Sequence, residues 1–135
     1  RLAKQHKRVA NKRKNFIKQT ASSIAKMNDV VVCEDLNVRG MVKNHHLAKS
    51  ISDSGFGMFL LEMAWQCKKR GKIFHKVSRW YPSSKTCNCC GYVNKTLTLN
   101  EREWVCPQCN SVLDRDYNAS MNILAQGLRD LKINL

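Results

Sequence analysis

From Leu2 to Met27 the apolar residues Leu2, Val9, Phe16, Ile17 and Ile24 recur at helical and near-heptad spacing while Lys and Arg fill the other faces, which predicts one long, basic amphipathic helix. Val30, Val31, Val32 and Cys33 then form a short continuous apolar run, the pattern of a strand buried on both faces, and it ends at Glu34 and Asp35. Residues 37–54 read as a polar, basic loop. Phe56, Phe59, Leu60, Met63, Ala64 and Cys67 follow at helical steps, a face closed by Gly71, with Asp53 or Ser54 available to cap its start. Ile73 to Ser78 predicts a second strand. Beyond a cysteine-bearing module opened by Pro82, Asp114-Arg115-Asp116 leads into a helix with Met121, Leu124, Leu128 and Leu131 on one face.

The order helix, strand, helix, strand, insert, helix predicts an α/β fold whose two strands run parallel through a crossover helix. Sheets flanked by helices normally have about five or six strands, so two would leave three helices poorly covered. The shortfall suggests a segment of a larger domain.

Charge narrows the function classes. The 135 residues carry a formal net charge of +14, and nine Lys or Arg lie between Arg1 and Lys26 with no acid before Asp29. A solvated helix face accounts for some of these cations, but the imbalance points to a polyanion, nucleic acid above all. The candidate phosphate contacts are Arg1, Lys4, Lys7, Arg8, Lys12, Arg13, Lys14 and Lys18 on the helix, with Lys43, Lys49 and Lys85 beyond it; His45 and His46 share the basic loop. No apolar run approaches the ~20 residues a membrane span requires. A cytoplasmic setting without membrane contact is expected.

Cys87/Cys90 and Cys106/Cys109 form two C-x-x-C knuckles with fifteen residues between them. A knuckle brings two thiolates onto one metal from a single tight turn, and two knuckles complete the four soft ligands of a structural zinc site. Gly91 follows the first and Pro107 sits inside the second; Leu97, Leu99, Trp104 and Val105 between them supply the apolar runs of a ribbon hairpin. Disulfides fit less well, given an odd cysteine count, and a redox C-x-x-C normally comes singly. Cys89 lies inside the first knuckle, yet Cys87 with Cys90 keeps the ligand spacing. Cys33 and Cys67 read as small buried hydrophobes.

Four strings carry a resemblance: V-V-V-C-E-D-L-N-V-R-G-M at Val30 to Met41, N-H-H-L-A-K-S-I-S-D at Asn44 to Asp53, P-S-S-K-T-C-N-C-C-G at Pro82 to Gly91, and D-R-D-Y-N-A-S-M-N-I-L at Asp114 to Leu124. Together they resemble the C-terminal part of the TnpB (OrfB) proteins of insertion sequences, relatives of the type V CRISPR nucleases. The resemblance implies a RuvC-type, RNase H-like nuclease core interrupted by a zinc ribbon, cutting DNA under the direction of a guide RNA. It divides the chain into a partial core at 1–81, a ribbon at 82–112 and a C-terminal core helix at 113–135. It also assigns Glu34 and Asp116 as Mg²⁺-binding catalytic carboxylates, a role that hard carboxylate oxygens suit. Asn118 is then a candidate to orient a ligand or the metal's water, and Asp35 and Asp114 are neighbours or caps. Without the resemblance, Glu34 reads as a solvated strand end and Asp114 or Asp116 as a helix cap.

The family's first catalytic Asp, on the opening strand ahead of the long helix, has no counterpart here. Asp29 enters the strand that ends at Glu34, roughly 15 Å away at strand rise, and cannot replace it. The expectation is a truncated or excised segment, catalytically incomplete by itself, whose partners are DNA, a guide RNA and the absent N-terminal region or a full-length homologue. A standalone zinc-ribbon nucleic-acid-binding module is the alternative.

Overall fold

The computed structural model describes residues 1–43, 55–98 and 100–134. Its elements are α1 (Leu2–Met27), β1 (Val30–Glu34), α2 (Val38–Val42), α3 (Phe56–Lys69), β2 (Ile73–Val77), β3 (Glu103–Val105), β4 (Val112–Asp114) and α4 (Arg115–Asp130). The described residues form two sheets of two strands, β1 with β2 and β3 with β4. Flanking the first pair, Ile73 N–H donates to Asp29 C=O (2.9 Å) and Asp35 N–H to Val77 C=O (3.1 Å). The bonds advance in the same sense along both strands, so the pair is parallel and α3 lies in its crossover, as the element order predicts.

Two compact units divide the chain, Arg1–Val31 with Leu36–Phe74, and Val32–Asp35 with His75–Leu135. In the first, Ala21 and Ala25 of α1 meet Met63 and Cys67 of α3, and Ile24, Val31, Phe59 and Phe74 pack around them. Alanines at the crossing let the backbones approach closely. Arg70 locks the pair, donating to Gln66 C=O (3.1 Å) and to Ser22 Oγ (2.8 Å).

The apolar stripe of α1 is covered only in part. Ile17 is buried, whereas Leu2, Val9 and Phe16 are 68%, 56% and 67% exposed. Length explains the difference. At 1.5 Å per residue the 26-residue α1 runs about 39 Å, and the 14-residue α3 that packs on it only about 21 Å.

Other departures from the sequence pattern are local. The expected loop after Asn37 begins with α2, because Asn37 Oδ1 accepts the Gly40 N–H at 3.0 Å and starts a turn. Helix α3 is preceded by Gly55 at φ 69° with no side-chain cap, while Asp53 and Ser54 lie outside the described residues. Gly71 does close α3, at φ 65°, with Lys72 N–H on Cys67 C=O (2.9 Å) and Gly71 N–H on Lys68 C=O (3.2 Å), the paired bonds of a Schellman stop. Strand β1, expected to be buried on both faces, is half-buried throughout, since each strand of a two-stranded sheet keeps an open edge. Cys67 is buried as expected, and Cys33 only half so.

In the second unit the buried face of α4 differs from the leucine face expected. Asn118, Asn122, Gly127 and Leu128 are buried, whereas Met121 and Leu124 are exposed. Gly127 lets the helix lie against β1, where a Cβ would fall 2.4 Å from Val32 Cγ1. No helix among the described residues is long and apolar enough to cross a membrane.

Candidate metal centre and carboxylate site

Each cysteine knuckle is built the same way. Cys87 N–H donates to Tyr92 C=O (2.8 Å) and Gly91 N–H returns to Cys87 C=O (2.9 Å); Cys106 N–H donates to Ser111 C=O (2.9 Å) and Asn110 N–H returns to Cys106 C=O (2.8 Å). The residue after each second cysteine has positive φ, 80° at Gly91 and 60° at Asn110. Glycine adopts that conformation freely and asparagine tolerates it, so C-x-x-C-G at the first knuckle and C-x-x-C-N at the second form the same turn.

The ribbon's strands bracket the second knuckle rather than filling the interval between the two. β3 and β4 are antiparallel, with Trp104 opposite Leu113 and Val105 opposite Val112, and a Thr86–Val93 bridge flanks the first knuckle. Inside lie Cys87, Leu97, Trp104, Cys106 and Leu113, with Tyr92 against them. Val105 is exposed and Leu99 is outside the described residues. A ribbon boundary at residue 112 would cut β4, whose pairing continues to Asp114.

The four sulfurs converge. Cys87 Sγ is 3.7 Å from Cys109 Sγ, Cys90 Sγ is 3.6 Å from Cys106 Sγ, and all four lie within 4.8 Å of one another. A tetrahedron with metal–sulfur bonds of about 2.3 Å has edges of about 3.8 Å, so a zinc ion fits with little rearrangement. Cys89 points away, exposed, its Sγ on Asn88 Oδ1 at 3.3 Å. Burial pushes the Cys87 thiol up to about 12, whereas the Ser111 hydroxyl, 3.3 Å from Cys109 Sγ, holds that thiol down to about 6.

The first knuckle is tied to α4 by two asparagines. Asn118, fully buried, accepts the Asn88 N–H on Oδ1 (2.9 Å) and donates from Nδ2 to Thr86 C=O (2.7 Å). Asn122 donates to Ser83 C=O (2.8 Å) and to Thr86 C=O (2.6 Å). The Asn118 side chain thus supports the cysteine knuckle. Asn122 was not singled out by sequence, although its i, i+4 spacing from Asn118 puts both on one helical face.

Glu34 ends β1, half-buried, and the buried Ser83 donates its hydroxyl to Glu34 Oε1 at 2.5 Å. Asp116 stands in the first turn of α4, its side chain 92% exposed, with Oδ1 3.7 Å from Arg115 Nε. Asp114 is the N-cap of that helix, accepting the Tyr117 N–H at 2.7 Å. Asp35 pairs with Arg79 and, at 3.6 Å, with Lys76; the Arg79 hydrogen bond holds its carboxyl below the ordinary range. Among the described residues the four cysteines are the one group of three or more His, Cys, Asp or Glu positioned to hold a metal, and it includes neither Glu34 nor Asp116.

Of the candidate phosphate contacts, Arg1, Lys4, Lys7, Arg8, Lys12, Lys14 and Lys18 are exposed along α1, and Arg13 is half-buried. Lys43 is exposed and Lys85 half-buried, while Lys49, His45 and His46 lie outside the described residues.

The chain is similar to known proteins. Residues 56–123, half of the chain, match the Cas12f1-like, TNB domain family. A Streptomyces pristinaespiralis protein named "Putative RNA-guided DNA endonuclease" is 41% identical over 128 residues, covering 95% of this chain and 32% of its own length. The TnpB-like protein L79 of Acanthamoeba polyphaga mimivirus is 28% identical over 134 residues, 95% of this chain and 25% of that protein. The chain therefore spans about a third or less of these relatives. The structure titled as a Cas12f1–sgRNA–target DNA complex superposes with a TM-score of 0.69 at 23% identity, over 87% of this chain and 35% of that one, a likeness of fold. With a matched domain that runs from α3 through both knuckles into α4, the chain belongs to the TnpB family.

Proposed function

We propose that these residues form the C-terminal part of a guide-RNA-directed DNA endonuclease, a partial RuvC-type, RNase H-like core at 1–81 and in α4 with a zinc ribbon that begins at 82 and runs through β4. The observation that carries the reading is the 41% identity, across 95% of this chain, to a relative whose name describes an RNA-guided DNA endonuclease. Cys87, Cys90, Cys106 and Cys109 hold a structural zinc ion, for which their sulfur spacing is suited. Glu34 and Asp116 are the Mg²⁺ carboxylates. Their hard oxygens suit that ion, which when bound stabilises the charge developing on a phosphodiester and activates a water. Glu34 is oriented by Ser83, and Asp116 is exposed to an incoming strand. The cations of α1 engage the phosphates of DNA or guide RNA.

Two carboxylates are only part of a two-metal site, so cutting is assigned to the longer protein and not to these 135 residues alone. The test is plasmid cleavage by the longer, guide-RNA-loaded protein with Glu34→Gln and Asp116→Asn introduced singly. Each should slow cutting by orders of magnitude while leaving guide RNA and zinc bound. Cutting within a few-fold of the parent by either variant would remove that residue from the site.

A further inference from the structure

The turn between β2 and Ser83, the residue that bonds Glu34, carries an exposed aromatic side chain. Trp80 is 86% exposed, the most exposed large apolar residue among those described, while Trp104 is buried in the ribbon and Trp65 is half as exposed on α3. Its exposure does not come from a loose backbone. Tyr81 N–H donates to Ser78 C=O (3.0 Å), closing a turn with Arg79 and Trp80 at its centre, and Trp80 N–H donates to Ser78 Oγ (3.3 Å). Each end of the turn is fastened to one of two adjacent residues, Asp35 just after β1 and Glu34 at its last position. Val77 C=O accepts the Asp35 N–H at 3.1 Å before it, and Ser83 Oγ reaches Glu34 Oε1 at 2.5 Å after it. A rigid turn therefore carries an indole face out into water from an anchor at the Glu34–Asp35 pair, at the carboxyl end of two parallel strands, where open α/β sheets bind their ligands.

The surrounding charge admits an anion. Arg79 and Lys76 flank Asp35 and neutralise it, so phosphates passing the turn do not meet two uncompensated acids. An indole presented this way offers what a nucleobase recognises, a flat π-face that accepts any base. We propose that Trp80 is a stacking platform for a base of single-stranded DNA lying along the Glu34 end of β1. The proposal deepens the nuclease reading given above and rests on it: the platform would hold one unpaired nucleotide of the substrate strand in place beside the proposed Mg²⁺ carboxylate.

The experiment uses the zinc-loaded 135-residue chain with Trp65→Phe, so that Trp80 is the remaining exposed indole. Binding of a fluorescently labelled oligothymidylate is compared with that of an abasic deoxyribose-phosphate oligomer of equal length, by anisotropy at low salt and by quenching of tryptophan emission. Stacking of one base is worth about 1–3 kcal/mol, so Trp80→Ala should weaken oligothymidylate binding roughly 5- to 150-fold and abolish the quenching. Trp80→Phe should retain most of the affinity, and abasic binding should be the same in all three proteins. Equal affinity of the parent for thymidylate and abasic oligomers, or an unchanged Trp80→Ala variant, would overturn the platform while leaving phosphate binding intact. A gain confined to oligouridylate would overturn its assignment to DNA. Failure of every oligomer to bind would instead overturn the nucleic-acid reading on which the proposal stands.

Discussion

Replacing Gly127 by alanine tests whether α4 lies against β1 as closely as the structure has it. In an exposed helix this change is favourable by up to about 1 kcal/mol, because glycine carries the larger entropic cost of ordering. Here the added Cβ would fall 2.4 Å from Val32 Cγ1, 2.7 Å from Cγ2 and 3.1 Å from Cβ. Turning the valine side chain cannot relieve the last contact. Carbon atoms settle at about 3.5–4.0 Å, so helix and strand must part by something near 1 Å. Overpacking of this kind costs about 1–3 kcal/mol, and the tightness of three contacts puts it in the upper part of that range. Subtracting the helical gain leaves a net destabilisation of about 1–2 kcal/mol, a fall in melting temperature of roughly 3–10 °C for a chain of this size. Thermal melts in excess zinc, followed by far-UV circular dichroism, would read it. Two companions make the result specific. With Val32→Ala the obstructing methyls are gone and Gly127→Ala should become neutral or stabilising, a coupling that distant sites do not show. Gly57→Ala in α3, where a Cβ would sit 3.7 Å from Val38 Cγ1, should raise stability. A Gly127→Ala protein as stable as its parent, or equally destabilised in the Val32→Ala background, would refute the packing of α4 on β1.

Other consequences are briefer to state. Cys106→Ser should abolish stoichiometric zinc and red-shift the emission of Trp104 as the ribbon opens, whereas Cys89→Ser should keep one zinc per chain; metal analysis of both variants decides the ligand set. Asn118→Ala removes from a fully buried position the acceptor of the Asn88 N–H and the donor to Thr86 C=O, and should cost about 1–3 kcal/mol in denaturant unfolding; an unchanged midpoint would refute the tie between knuckle and helix. Nucleic-acid binding through α1 should weaken with salt by about 0.7 log units per phosphate contact on single strands and about 0.9 on duplex, so a flat filter-binding profile would count against a phosphate-directed helix.

What the sequence made legible follows from how local each determinant is. The two knuckles were readable because a metal site is specified by spacing within a turn, and the Schellman stop at Gly71 because glycine is the residue that a left-handed position favours. The long α1 and the parallel β1–β2 pair followed from periodicity and element order. Burial along α1 did not. Leu2, Val9 and Phe16 have the spacing of a buried stripe, but whether a stripe is covered depends on the reach of the partner helix, a property of another part of the chain. The face of α4 was misjudged for a related reason. Leucine spacing pointed to Met121 and Leu124, yet the helix turns Asn118 and Asn122 inward, because the main chain of the first knuckle arrives with carbonyl and amide groups that only polar side chains can satisfy.

That polar face determines what kind of joint connects knuckle and helix. An apolar contact between the segment 83–88 and α4 would tolerate sliding, since hydrophobic burial is proportional to area and indifferent to direction. Asn118 and Asn122 instead fix three main-chain groups, Ser83 C=O, Thr86 C=O and Asn88 N–H, at hydrogen-bond distance and angle. Ser83 holds Glu34 by its hydroxyl while Asn122 holds Ser83 by its carbonyl, so a short run of chain links the end of β1 to the first turns of α4, where Asp116 stands. Cys87 lies inside this run and would be clamped by a bound zinc ion. A small ribbon with few buried side chains has little apolar core of its own, so a metal on its four sulfurs would add order to it. The polar strut therefore joins the strand end that carries Glu34 to the segment that carries Cys87, through directional bonds that a leucine face could not have supplied.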